Sequence, residues 1–317
     1  MTTPRAPAGT TASTRDVLTR PDTRRRLTDR VMAGVVTLAF LVALVPLVSL
    51  VWTVVANGIE RLSPYFFVVS MRGVFGGMDA GGIYHAIVGT LLVTGFATLI
   101  SVPIGLLTAI YLVEYGRGRL ARAVTFFVDV MTGIPSIVAG LFAYALFAVF
   151  FGPGVRFAVV GAVALSVLMI PVVVRSSEEM LRLVPNELRE AALALGVPRW
   201  LTVVKVVLRT AAAGITTGIT LAVARVIGET APLLITLGVI DSINYNLVEG
   251  RMMTLPVYVF RQYSQGLVPC RPDEVGCIAT INFDRAWAAA LVLIGIVLLL
   301  NLVARLVARR FAPARGH

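Results

Sequence analysis

Two residues of opposite charge, Arg225 and Glu229, stand four apart in the otherwise apolar stretch ARVIGETAPLL, residues 224–234. On a continuous helix that spacing is an advance of about 6 Å and a return to the same face. At the centre of a bilayer each such charge costs about 2.5–3.5 kcal/mol, so both must meet each other, another partner or water. Two chemistries fit. A self-satisfied ion pair would lock one helix into a bundle. Alternatively, Arg225 offers fixed charge and planar donors to an oxyanion, while Glu229 holds the guanidinium and keeps the empty site near neutral. Ionisable groups inside a membrane are functional by default, which favours the second. Pro232 cannot bond the carbonyl of Gly228, and its ring crowds that position. A kink or opening is therefore expected across Gly228–Pro232, with the freed polar backbone lining a cavity.

The stretch DVMTGIPSIVAG, residues 129–140, repeats the device. Pro135 breaks a long apolar run, and a half-helix starting there would aim its N–H groups at an anion. Ser136 adds either a hydroxyl donor to that site or a bond to its own backbone. Asp129 reads as the partner of an arginine, Arg225 among them, rather than as a proton carrier. Arg175, after PVVV, reads as an interfacial anchor. His85 has no ligand cluster around it, and no metal site is expected.

These groups need elements to hold them. The chain has 317 residues, 57% hydrophobic and 14% charged. A soluble domain carries about a quarter charged residues, so this chain lacks the polar surface for water. Six runs, 31–56, 86–113, 123–151, 157–174, 211–240 and 286–304, are apolar enough to cross a bilayer, which takes about 20 residues. Alternating ten-residue strand patterns are absent, leaving helices as the spanning structure. The expectation is an all-α, polytopic membrane protein with six transmembrane helices. The first run exceeds a signal peptide's apolar region and reads as a retained helix. Residues 1–30, rich in Thr, Pro and Arg, read as a disordered basic cytoplasmic tail. Residues 31–317 form the membrane domain, with an inner segment at 175–210.

The net charge of +11 is a matter of topology and calls for no nucleic acid. Seven cations lie in 1–30, three in 114–122, six in 175–209 and four in 305–317. The loops on the other side hold seven, and Arg225 lies between. By the positive-inside rule both termini are cytoplasmic. Cys270 and Cys277 share one outer loop, where an oxidising compartment permits a disulfide. A bridge is favoured over two free thiols, and it would staple the loop locally.

The inner segment reads RSSEEMLRLVPNELREAALALGVPRWLTVVKVVLRT. Asn186 after Pro185 fits a helix N-cap with Glu187 in the first turn. Leu188, Ala191, Ala192 and Leu195 share one face. Gly196 fits the position that ends a helix, and Pro198 the start of the next. A short helix with small residues on its apolar face suits a protein groove better than a lipid surface.

Within it, Glu190-Ala191-Ala192-Leu193-Ala194-Leu195-Gly196 resembles the E-A-A-x-x-x-G loop of ABC-importer permease subunits. Val206-Val207-Leu208 continue that pattern, with Arg209 where the family has proline. ARVIGETAPLL, GIPSIVAGL (133–141) and GGIYHAIVGTLLVT (81–94) resemble the phosphate-specific permeases of the PstA type. That resemblance covers the chain from the first helix to the last, without the tail. It implies a type I importer core and inorganic phosphate as cargo. The partners implied are a second, PstC-type permease, an ATPase dimer and an extracytoplasmic phosphate-binding protein. Glu190, Ala191, Ala192 and Gly196 would couple to the ATPase. It also implies roles in anion passage for Arg225 and Glu229, and raises Arg175 to the same standing. The chain itself needs no cofactor: its single lysine, Lys205, follows a valine, so no G-K-[ST] loop exists. ATP and Mg would bind the ATPase. Permeation of another oxyanion, such as molybdate or sulfate, and a gradient-driven anion transporter are the rival readings. No nucleophile–base pair in the helices supports an enzyme.

Overall fold

A computed structural model describes residues 23–271 and 275–311. The first helix, α1 (Thr23–Gly58), begins eight residues before the expected boundary at 31, so residues 23–30 are helical. The rest of the expected tail, 1–22, lies outside the described residues. Up to Thr53 this helix belongs to one compact unit, and Val54–His317 form a second.

In the second unit the chain runs through α2 (Pro64–Val68), α3 (Tyr84–Ile110), α4 (Gly118–Thr132), α5 (Ser136–Phe151) and α6 (Ala158–Arg182). It continues through α7 (Asn186–Ala194), α8 (Arg199–Thr202), α9 (Leu208–Ile227), α10 (Ala231–Thr236), α11 (Leu255–Gln265) and α12 (Ile281–Phe311). Two π turns, Tyr111–Tyr115 and Val203–Val207, extend α3 and join α8 to α9. The described residues contain no strand, only an isolated bridge between Met78 and Cys277.

Five helical stretches are long and apolar enough to cross a membrane. The sixth expected span, 123–151, is not straight: α4 and α5 meet at 109°. Gly133 caps α4, and Pro135 forces Ile134 out of the helical region. Sixteen residues of α5 reach only about 24 Å, short of a hydrocarbon core of about 30 Å. Two other expected boundaries also move. The helix expected to end near 174 runs on to Arg182, so Arg175 sits inside it. The run 211–240 is the end of a helix from Arg199 to Ile227, followed by a break and α10. No kink arises at Arg209; the irregularity is the π turn just before it.

Between lipid-immersed helices, close approach depends on small residues, since lipid is as apolar as leucine. A Cβ on Gly105 of α3 would stand 2.7 Å from Val173 of α6. Gly214 and Gly218 of α9 face Met180 and Ser176 of α6, with Cβ clearances of 2.3 and 2.7 Å. The paired offsets run in opposite directions, so α9 is antiparallel to α6. Gly218→Leu is expected to overpack this seam and cost about 1–3 kcal/mol. Thermal unfolding of the detergent-solubilised protein checks it; an unchanged midpoint would show that the seam yields.

At the end of the bundle where α3 begins, Cys270 and Cys277 are bridged. The disulfide packs on Gly77, whose Cβ would fall 2.2 Å from Cys277 Sγ, and Ile278 N–H donates to Gly77 O at 2.9 Å. The glycine-rich loop is thus pinned to the bridged loop. Replacing both cysteines by serine is expected to loosen the two together, by about 2–3 kcal/mol on chain-entropy grounds. Protease sensitivity confined to residues 70–80 and 266–280 is the readout.

Candidate functional site

The helix that carries Arg225 ends two residues later, at Ile227. Gly228 is its C-cap at φ −84° and ψ −4°, and Glu229 N–H turns back onto Val226 O at 3.1 Å. Thr230 caps α10, with Pro232 in its first turn, where its missing N–H costs nothing. Arg225 and Glu229 therefore do not lie on one continuous helix, and no hydrogen bond or ion pair joins them. The expected pair is corrected: the break separates the two side chains. Arg225 lies in the last turn, where the negative end of the helix dipole favours a cation. Its side chain is exposed and Glu229 is half-buried.

The second break packs against the first. Gly140 of α5 lies against Pro232 of α10, with a Cβ clearance of 2.6 Å, and Gly161 of α6 meets Leu233 and Leu237. Pro135 is the N-cap of α5 and makes no side-chain cap bond, and Ser136, the first residue of α5, is half-buried.

Asp129 is paired with Arg175, not with Arg225. Arg175 also donates to Glu178 Oε2 at 2.8 Å, and Arg182 to Glu178 Oε1 at 2.7 Å. This four-residue chain is electrically balanced and fastens α4 to the C-terminal part of α6. Arg225 belongs to another level. Gly218 sits beside Ser176, and seven further residues of α9 carry Arg225 about 10 Å along the bundle, level with the middle of α6. Arg175 is engaged by two carboxylates, whereas Arg225 faces outward with none.

The segment after α6 forms a second constellation. Pro185 caps α7, and Asn186 is its first helical residue rather than its cap. Gly196 adopts φ +77°. Its N–H donates to Leu193 O, and Val197 N–H to Ala192 O at 3.1 Å, the six-to-one closure of a Schellman motif. Of the expected apolar face Ala192 alone is buried, while Leu188, Ala191 and Leu195, together with Glu190, are exposed. The exposed side is an uncovered apolar strip edged by a carboxylate.

Sequence reasoning missed what holds this helix. Glu114, on the π turn after α3, is 8% exposed. Its Oε1 accepts from Arg189 Nε at 3.0 Å and Nη2 at 2.9 Å. Arg189 also donates to Val184 O at 2.6 Å and to Leu181 O at 2.9 Å. The backbone carbonyl of Glu114 accepts from Arg199, whose guanidinium lies 5.2 Å from the Tyr115 ring centre. One buried carboxylate residue thus fastens both ends of the α7 region to α3. The signal was a lone acid at the end of a long apolar run, but its partner lies 75 residues away. Gly214 and Gly218 carried a plainer signal, a G-x-x-x-G spacing.

No group of three or more metal-ligating side chains occurs among the described residues.

Residues 101–316 match the family described as binding-protein-dependent transport system inner membrane component. The phosphate transport system permease protein PstA 1 of Mycobacterium tuberculosis (strain ATCC 25618 / H37Rv) is 46% identical over 302 residues, covering 94% of this chain and 93% of its own. The phosphate transport system permease protein PstA of Mycobacterium leprae is 44% identical over 289 residues, 90% of either chain. Among solved structures, a chain of a bacterial alginate ABC transporter superposes with a TM-score of 0.62 at 14% identity, covering 90% of this chain and 96% of that one. A chain of the MetNI methionine ABC transporter in an inward-facing form gives 0.54 at 20% identity, covering 80% and 100%. At those identities the likeness is one of fold: the helices adopt the arrangement of ABC-importer permeases.

Proposed function

The chain belongs to the binding-protein-dependent transport system inner membrane components, and from that premise we propose that it helps carry inorganic phosphate into the cell. It is a multi-pass membrane protein and a permease subunit of an ATP-driven importer. ATP hydrolysis belongs to a separate ATPase. The cargo reading rests on the PstA relatives, which match nearly the whole chain. The observation that carries the mechanism is Arg225: exposed, without a carboxylate partner, and placed where the helix breaks at the middle of the bundle.

The assembly comprises this chain, a homologous second permease of the PstC type, two ATPase subunits and an extracytoplasmic phosphate-binding protein. Both termini face the cytoplasm, as the arginine distribution supports. The α7 strip of Leu188, Ala191 and Leu195 enters a cleft on the ATPase. Closure of the ATPase dimer moves α7, and Arg189, Glu114 and Arg199 pass that motion to α3. In the resulting pathway Arg225 gives phosphate a transient charge partner, and Ser136 and the start of α5 add donors. The site must hold the anion weakly enough to release it. Glu229, half-buried past the break, limits the net positive charge. The Asp129–Arg175–Glu178–Arg182 chain lies on the cytoplasmic side of Arg225, and, being electrically balanced, it offers a passing anion no second resting charge.

Reconstitution with the ATPase and the second permease in vesicles tests the reading. Phosphate-loaded binding protein should stimulate ATP hydrolysis and drive phosphate accumulation. Stimulation by a sulfate- or molybdate-loaded protein, with none by the phosphate-loaded one, would overturn the choice of cargo. Uptake without any ATPase would overturn the importer reading.

A further inference from the structure

A cavity of about 380 Å³ lies well away from Arg225, at the end of the bundle where α3 begins. Its polar wall comes from α11, the start of α12 and the residues after α10: Asp241, Arg261, Gln262, Gln265, Asn282 and Arg285. The loop Met71–Gly76 closes the other side. Arg285 is 2% exposed and has no carboxylate partner. It donates through Nη2 to Met78 O at 2.7 Å and Ala80 O at 2.8 Å, and through Nε to Ala80 O at 3.2 Å. These carbonyls leave its formal charge uncancelled. The nearby Asp79 is paired with Arg61, and Asp284 accepts from Thr280. Arg261 is forked onto Asp241, at 2.6 and 3.3 Å. The ionised groups lining the cavity are thus two arginines and one aspartate.

Gln262 is 2% exposed, and its Oε1 is buried without a hydrogen-bond partner. A buried acceptor left unmade is costly, and it marks a position that wants a donor. Tyr258, one turn earlier, is buried in the field of Arg285, Arg61, Asp241 and Arg261, and burial pushes its phenol above the ordinary range. It remains a neutral neighbour and adds no negative charge. The wall therefore asks for a ligand that is anionic, for the arginines, and also carries an O–H, for Gln262 Oε1 and Asp241.

We propose that this outer cavity is a second anion site, holding hydrogen phosphate before it passes inward to Arg225. The proposal rests on the phosphate reading of function. Hydrogen phosphate combines oxyanion charge with a P–O–H donor at neutral pH, whereas sulfate carries no proton there. The cavity is much larger than the ion, so phosphate enters with part of its water and is held loosely, as a waiting position requires. It lies among the outer segments over which a binding protein would dock.

The test uses the complete transporter with its second permease and ATPase in lipid nanodiscs, without binding protein. Arg225→Gln removes the central site. Radiolabelled inorganic phosphate should still bind this variant saturably, displaced by arsenate and hardly by sulfate. Adding Gln262→Met should weaken binding at least tenfold with thermal stability kept or raised, because it replaces an unpartnered buried amide by an apolar group. Arg261→Gln should weaken binding as well. Loss of all saturable binding in the Arg225→Gln transporter, or equal competition by sulfate, would overturn the site. So would binding indifferent to Gln262→Met. Wild-type vesicles assayed in parallel separate the two readings. If they accumulate phosphate, a negative result condemns the outer site alone; if they accumulate only another oxyanion, the cargo reading has failed and the site with it.

Discussion

Arg225→Gln is expected to abolish phosphate uptake while the permease still assembles with its partners. Its side chain is exposed and bonded to nothing, so its removal leaves no buried group stranded and the fold should survive. What disappears is a fixed positive charge at the middle of the bundle. At about 4 Å and an effective dielectric near 20, one unit-charge interaction is worth about 4 kcal/mol. If passage depends on that contact, the rate falls by roughly three orders of magnitude, below detection in a vesicle assay. Arg225→Lys should retain part of the uptake, because it keeps the charge and loses the planar fork. Co-purification of the ATPase and second permease with the glutamine variant is the control for assembly. Near-normal uptake in that variant would return Arg225 to a role in packing.

Local covalent chemistry is legible in the sequence around Arg225, whereas contacts made across the bundle are not. Pro232 and Pro135 act through their own covalent geometry, so both helix breaks were legible from local chemistry. Gly196 was legible for the same reason, since its positive φ closes a motif within six residues. The apolar runs fixed the class of fold and the number of crossings to within the bend at Pro135. The expected Arg225–Glu229 pair failed because it assumed a continuous helix across the break that Pro232 imposes. Of two local arguments in conflict, the missing donor outweighed the four-residue spacing. Asp129 pairs with an arginine, as its place in an apolar run predicts, but which arginine depends on the 109° turn between α4 and α5. That turn places α4 beside α6 and away from Arg225. Glu114 was illegible for a similar reason. Nothing near it in the chain distinguishes an interfacial acid from one that clamps a helix 75 residues on.

That clamp gives the second large effect. Glu114→Gln should leave the complex assembled and ATP hydrolysis running, yet lower phosphate uptake about 10–100-fold. Glutamine retains the shape and the backbone carbonyl that accepts from Arg199, so the π turn is preserved. It removes the charge opposite Arg189, which is only 17% exposed on its side chain. Removing one partner of a buried ion pair strands the other, at about 3–5 kcal/mol for full truncation and less for an isostere. Arg189 keeps its bonds to Val184 O and Leu181 O, so α7 stays folded on the α6 side. Its tie to α3 is what weakens. Site-to-site coupling is typically 1–3 kcal/mol, so losing this contact can erase most of it. The decisive measurement is phosphate moved per ATP hydrolysed in proteoliposomes with saturating loaded binding protein. A pure packing role would lower uptake and hydrolysis together, through less assembled complex, and leave their ratio unchanged. A fallen ratio with intact assembly identifies Glu114 as the point where motion of α7 enters the membrane helices.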